Sequence, residues 1–276
     1  MSLKFDEKKH EYTSNKKKLI SVTKLVHSYT NDFDKTLILD KMFESSPSEI
    51  YLGKSRKYIG MTKEQISTMW KINQESKSAY GTFIHEKAED IGNGIEVDIK
   101  MPEINQVKAF FKREGYEIIE QELRVYSEEL GVAGTVDLLL KKDDMYYIGD
   151  WKTCVGKDLE KREDRYQKFM KEPVSNIPDL QFWIYSMQMS CYRYIIEHNQ
   201  NNGAKTQNAS SGRLDRKKPD MKFGGQFIIH LIGSQDDLKD KNGKRVIYPE
   251  MVRISYKKID TPYMESEIKS IMEDIE

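Results

Sequence analysis

The sequence predicts a mixed α/β fold whose sheet begins as antiparallel strands. Three observations carry this. Apolar residues recur at helical spacing through 62–91, the pattern turns strand-like over 116–153, and helical spacing returns over 177–199. The chain has 276 residues, enough for one large domain with insertions, and a single domain spanning 1–276 is expected. Charged residues make up 33%, but 11% aromatics and long apolar runs argue against disorder.

Residues 5–18 are polar and basic and read as a short hairpin or extended arm. Ser21 opens a short helix carrying Val22, Leu25 and Val26, and a second helix is expected over 33–43. Thr62 and Gln65 have capping-box spacing ahead of Ile66, Met69, Trp70 and Ile72. Helical character resumes over 83–91 and stops near Gly92 and Gly94, with Gly81 between the two stretches read as a kink or a close approach. Pro102 suits the first position of the next helix, which should end at Gly115. Strands are expected over 116–127, 131–140 and 145–153, the last two joined at Lys142-Asp143-Asp144. The charged stretch 157–172 fits either an exposed helix or a loop. Residues 177–199 predict a helix of about six turns. Residues 199–222 are poor in apolar side chains and read as a mobile surface loop. Strands over 227–232 and 252–256 and an amphipathic helix over 262–275 should close the fold.

Composition excludes several classes. Forty-five Lys+Arg balance forty-five Asp+Glu, so affinity for a polyanion must come from local patches. The two cysteines, Cys154 and Cys191, make no disulfide framework and no four-cysteine zinc or iron–sulfur site. Their scarcity, with no long apolar run, points to a cytoplasmic protein without a membrane span. Gly53-Lys54-Ser55 ends like a phosphate-binding loop, but Ser48 stands where that loop needs glycine. No G-x-S-x-G nucleophile motif occurs.

The sharpest local feature is residues 134–153, GTVDLLLKKDDMYYIGDWKT. A two-residue turn at Asp143-Asp144 would set Asp137 opposite Asp150 on one side of the sheet. Lys152 would share that side, with Thr135 opposite it. Like charges facing one another across strands destabilise a sheet unless something compensates. A divalent cation does so, and hard oxygen ligands suit Mg²⁺ or Mn²⁺. Lys152 would orient a water or offset charge on a phosphate. A register off by one residue would separate the acids.

Asp137 followed by Asp150-Trp151-Lys152 resembles the motif of PD-(D/E)XK nucleases. Several flanking patterns are similar to the RecB-like branch and its phage members, to which mitochondrial genome-maintenance exonucleases are related. These are Gly81-Thr82-Phe83-Ile84-His85 with Glu89 a turn later, Glu122 in ELRV, the strand GVAGTVDLLL over 131–140, and Gln-x-x-x-Tyr on the following helix. His10-x-Tyr12 and Ser21-Val22-Thr23 also look like phage members, in DNA-binding or fold-stabilising roles.

The resemblance implies a restriction-endonuclease-like PD-(D/E)XK core, a central mixed sheet flanked by helices, with an N-terminal helical region. An arm and helical part over 1–100 would precede a catalytic core over 101–199, a flexible loop over 200–222, and closing strands and a helix over 223–276. It implies Mg²⁺-dependent hydrolysis of DNA, more often from ends, in a phage or prophage DNA-processing setting within a bacterial host, with Mn²⁺ able to substitute. Asp137, Asp150 and the Trp151 carbonyl would hold the cation, with His85 or Glu122 completing the site or supporting a second ion. Lys152 would position the attacking water. Two Gln-x-x-x-Tyr frames occur, Gln181/Tyr185 and Gln188/Tyr192, on one helical face. Gln188/Tyr192 resembles the phage pattern more closely and would hold the DNA backbone or tune Lys152, with Gln181 and Tyr185 facing substrate.

Candidate phosphate contacts are Lys16-Lys17-Lys18, the basic residues of 157–171, and Arg213, Lys217 and Lys218. Trp70, Trp151 and Trp183 are candidates for base stacking. DNA is the expected partner, single- or double-stranded with ends preferred, and a recombination or single-strand-binding protein is a second candidate. An endonuclease of the same fold and a non-catalytic DNA-binding protein are the competing readings. Strand polarity and oligomeric state are left open.

Overall fold

Three amphipathic patterns decide the architecture: an N-terminal hairpin, a three-strand meander and a long apolar helix. The computed structural model describes residues 3–6, 11–44, 58, 60–153, 159–202, 205–207, 221–233 and 256–275. The chain divides into two compact units, residues 1–31 with 84–276, and residues 32–83.

The larger unit is built on a mixed, open sheet flanked by helices. Strands β1 (Lys4–Asp6), β2 (Glu11–Ser14) and β3 (Lys17–Ser21) form an antiparallel meander. Asn15 and Lys16 make the β2–β3 turn with φ of 49° and 66°. Strand β5 (Val132–Lys142) is the hub. It pairs along one edge with β4 (Glu117–Ser127), antiparallel. Its other edge takes β3 in parallel at Val132 and Ala133, then β6 (Met145–Lys152) antiparallel. Beyond β6 come β8 (Phe223–His230), parallel to it, and β9 (Lys257–Thr261), antiparallel to β8. A short β7 (Lys205–Gln207) pairs with β4.

The β5–β6 register is the one expected from the turn. Leu139 faces Ile148 and Lys142 faces Met145. Asp143 and Asp144 have φ of 49° and 59°, the left-handed pair that a two-residue turn matched to strand twist requires.

Helices cover both faces. Helix α1 (Val22–Ser28) starts at Ser21, whose hydroxyl accepts from the Lys24 N–H. Helices α5 (Gln181–Asn202) and α6 (Glu265–Asp274) share with α1 a core that includes Leu123, Val136, Leu139, Ile148 and Ile228. Helix α4 (Pro102–Arg113) brings Phe110 and Phe111 against the Trp151 ring, and Phe110 against Phe227.

The smaller unit holds α2 (Lys35–Glu44) and the first part of α3 (Lys63–Gly92). The capping box forms: the Gln65 N–H donates to the Thr62 hydroxyl at 3.2 Å, and the Thr62 N–H donates to Gln65 Oε1 at 2.8 Å. Lys63 pairs with Asp40 at 2.6 Å, and Trp70 packs on Phe33 and Tyr58.

Several expectations are corrected. Helix α3 runs through Gly81 without interruption, since one glycine costs a long helix only about 1 kcal/mol. The helix expected over 177–199 starts at Gln181 and extends to Asn202, and the segment read as a loop contains β7. Of the two readings of the charged stretch, the loop holds for its described part, 159–172, which is irregular and carries an isolated bridge at Phe169. The last strand falls at β9, after Tyr256, and residues 251–255 lie outside the described residues. The final helix begins at Glu265, behind Pro262, Tyr263 and Met264. Among the described residues no helix is long and apolar enough to cross a membrane.

Candidate active site

Three neighbouring strands bring three carboxylates into one row. Gln121 pairs with Leu138 and Leu123 with Val136, so Glu122 of β4 stands across from Asp137 of β5. Leu138 pairs with Gly149, so the same register carried one residue further sets Asp137 across from Asp150 of β6. Backbone irregularity re-aims the first of these acids. The β4 register shifts between Ile118 and Glu120, and Glu122 itself has φ of 49°. A left-handed glutamate costs about 1–3 kcal/mol and persists only where its surroundings hold it.

The end of α3 delivers the imidazole. Gln121, beside Glu122, donates through Nε2 to the Glu89 carbonyl at 3.2 Å and to Asn93 Oδ1 at 3.1 Å. Gly92 allows this approach, because a Cβ there would lie 2.1 Å from Gln121 Oε1. With the helix end fixed, His85 Nε2 sits 3.0 Å from the Trp151 carbonyl and Nδ1 sits 3.4 Å from Asp137 Oδ2. A carbonyl only accepts, so Nε2 is the nitrogen that donates to Trp151, and Nδ1 is the one that faces the Asp137 carboxylate. The Trp151 N–H donates to that same Asp137 oxygen at 2.9 Å.

His85, Glu122 and Asp137 each offer a ligand atom within 4.8 Å of the others. The two carboxylates suit a hard divalent cation such as Mg²⁺ or Mn²⁺, and the imidazole nitrogen extends the set to Zn²⁺ or Fe²⁺. The electrostatics favour a cation as well. Burial pushes the Glu122 carboxyl up to about 8, and Asp137, Glu89 and Asp150 add to the rise against Arg124. Burial likewise pushes Asp150 up to about 6, opposed first by Lys152. Acids held this way are short of positive charge.

Lys152 projects beside the row. Its Nζ lies 2.5 Å from Asp150 Oδ2 and 4.7 Å from the centre of the Tyr185 ring. Asp150 is only 4% exposed, so this ion pair is largely out of water. Tyr185 donates its hydroxyl to Gln181 Oε1 at 3.1 Å. The other frame sits differently. Gln188 Nε2 donates to the Tyr192 hydroxyl at 2.8 Å and to Thr23 Oγ1 at 3.2 Å, which ties α5 to the start of α1. The Tyr192 ring lies against Gly134, where a Cβ would come within 2.4 Å of Cε1. Burial raises the Tyr192 hydroxyl well above its ordinary value, and Asp150 and Asp137 contribute to the rise. The favoured frame therefore braces the sheet–helix contact, while Tyr185 touches the lysine.

Asp137, Asp150, Lys152, His85, Glu122 and the Trp151 carbonyl are thus brought together. The Trp151 ring is 2% exposed and wedged between Phe110 and Phe111, so it does not stack bases. Trp183 donates Nε1–H to the Arg162 carbonyl at 2.9 Å. Trp70 packs within the smaller unit. Lys16 occupies a tight turn, and Lys18 pairs with Glu11. His10, Arg213, Lys217 and Lys218 lie outside the described residues.

Sequence reasoning gave no role to the Tyr12–Thr135 contact, hydroxyl to hydroxyl at 2.9 Å, which secures the N-terminal hairpin two residues before Asp137. The HxY motif was its only sequence signal. No family model matches the chain, and no curated protein matches it.

Proposed function

We propose that this protein is a divalent-cation-dependent DNA nuclease with a PD-(D/E)XK core, acting from DNA ends. One observation carries the reading: His85, Glu122 and Asp137 offer ligand atoms within 4.8 Å of one another, with the Asp150–Lys152 ion pair on the neighbouring strand β6. Mg²⁺ or Mn²⁺, held by Asp137, Glu122 and His85 with Asp150 adjacent, would supply Lewis-acid activation of the scissile phosphate. Asp150 fixes the Lys152 ammonium, and the Tyr185 ring limits its travel. Lys152 then donates to the attacking water and offsets charge as it develops on the phosphoryl oxygens. His85, oriented by the Trp151 carbonyl, would present Nδ1 to the cation beside Asp137. The preference for ends rests on the family resemblance alone.

The test is digestion of end-labelled single- and double-stranded DNA beside a covalently closed circle, with and without Mg²⁺. Cation-dependent release of nucleotides from the linear substrates is expected, with the circle intact. Asp150→Asn keeps the side-chain shape and should lower the rate by more than about a hundredfold, the scale of losing one electrostatic stabiliser. Cutting of the circle would establish an endonuclease instead, and wild-type protein inert toward every substrate in Mg²⁺ and Mn²⁺ would end the nuclease reading.

A further inference from the structure

Residues 159–180 have no regular secondary structure, yet they are firmly built. Leu159, Met170, Val174 and Ile177 are buried. The Met170 N–H donates to the Ile177 carbonyl at 2.8 Å, and the Asp179 N–H donates to the Lys168 carbonyl at 2.8 Å. Asn31, just beyond α1, donates through its backbone N–H to Asp179 Oδ2 at 2.7 Å and through Nδ2 to the Phe169 carbonyl at 2.7 Å.

Against this fixed frame the Tyr166 side chain is 83% exposed and Phe169 is 45% exposed. Arg165 places its guanidinium 5.8 Å from the Tyr166 ring centre. The Tyr166 ring is therefore held at the surface by an anchored segment, with its faces available to a ligand. The segment is also joined to the helix that carries Tyr185. Arg162 rests 4.1 Å over the Phe182 ring and accepts from Trp183 through its carbonyl, on the first turn of α5. Tyr185, on the next turn of that helix, is the ring beneath Lys152.

We propose that Tyr166 is a stacking platform for an unpaired nucleobase of single-stranded DNA, with Arg165 and Lys168 contacting the flanking phosphates. The ligand assignment rests on the nuclease reading. The choice of single strand follows from the aromatic face: bases inside a duplex are stacked on both sides, whereas each unpaired base has a face to offer. Within this segment Asp164 pairs with Lys161 at 2.7 Å and Glu160 with Lys257, so Arg165 and Lys168, with Glu163, flank the exposed ring; an exposed ring with flanking cations is a combination that single-strand binders use.

Fluorescence anisotropy in EDTA, with a labelled oligonucleotide as single strand or as duplex, tests this without cleavage. Tyr166→Ala should weaken single-strand binding roughly fivefold to a hundredfold, the range of base–aromatic stacking, and leave duplex binding unchanged. Tyr166→Trp should bind at least as tightly as wild type. Tyr166 packs on so little that its substitution leaves the fold intact. Equal single-strand affinity in wild type and Tyr166→Ala, equal losses for both strand forms, or no binding by wild type would each overturn the platform, a ring that serves a protein partner included. Nucleotide release in Mg²⁺ is read separately. Tyr166-dependent binding without release would sink the nuclease reading and leave the platform standing.

Discussion

Lys152 is controlled from two directions, by a carboxylate at 2.5 Å and by the face of Tyr185 at 4.7 Å. The ring contact is electrostatic and needs the aromatic face rather than the hydroxyl, and such a contact contributes about 0.5–2 kcal/mol. Tyr185→Phe should therefore keep the rate of nucleotide release. Tyr185→Ala should reduce it by roughly twofold to thirtyfold, the same energy expressed as a rate. Steady-state rates in saturating Mg²⁺ check this, and equal losses in both variants would assign the role to the hydroxyl and Gln181. Both residues are visible in the sequence as one of two frames, of which the resemblance favours the other, Gln188/Tyr192. Spacing does not separate them, because i, i+4, i+7 and i+11 share one face; in the fold the Tyr185 ring lies against Lys152 and the Tyr192 ring against Gly134.

At the scale of elements, the contact between β5 and α5 depends on a missing side chain. A Cβ on Gly134 would meet Tyr192 Cε1 at 2.4 Å and Val22 Cγ2 at 3.2 Å, and Tyr192 is a buried ring with no room to retreat. Gly134→Ala should cost about 1–3 kcal/mol, the usual price of overpacking. In a Tyr192→Ala background the same change should cost much less, a coupling that chemical denaturation of the double-mutant cycle would measure. The β5–β6 hairpin was legible because the two-residue turn specifies its register, and the observed pairs follow it. Strand β9 was misplaced because KKIDT carries three charges and gets its strand character from pairing with β8. The exposed ring of Tyr166 left no periodic trace, since exposure on a loop is a tertiary property. The row of acids was half legible: Asp137 and Asp150 follow from one turn, whereas the aim of Glu122 depends on a bulge and a left-handed residue that no spacing encodes.

At the scale of the whole molecule, the buried acids link stability to pH and to cations. Asp150 and Glu122 are raised to about 6 and about 8, against ordinary carboxyl values of about 4. Between the ordinary and the raised values the folded state binds more protons than the unfolded state, so unfolding free energy falls as pH rises through that window. The cation-free protein should therefore melt at a lower temperature at pH 8 than at pH 5. Glu122→Gln, which removes the more strongly raised group, should flatten this dependence. A divalent cation binds the ionised carboxylates and not their protonated forms, so Mg²⁺ or Mn²⁺ should raise the melting temperature at pH 8 and hardly at all at pH 5. Melting curves across pH 5–8, with and without Mn²⁺, read this without any catalytic assay. A melting temperature at pH 8 that Mn²⁺ leaves unmoved would mean that the three carboxylates are balanced by Lys152 and Arg124 alone, and the cation would have no place in the site.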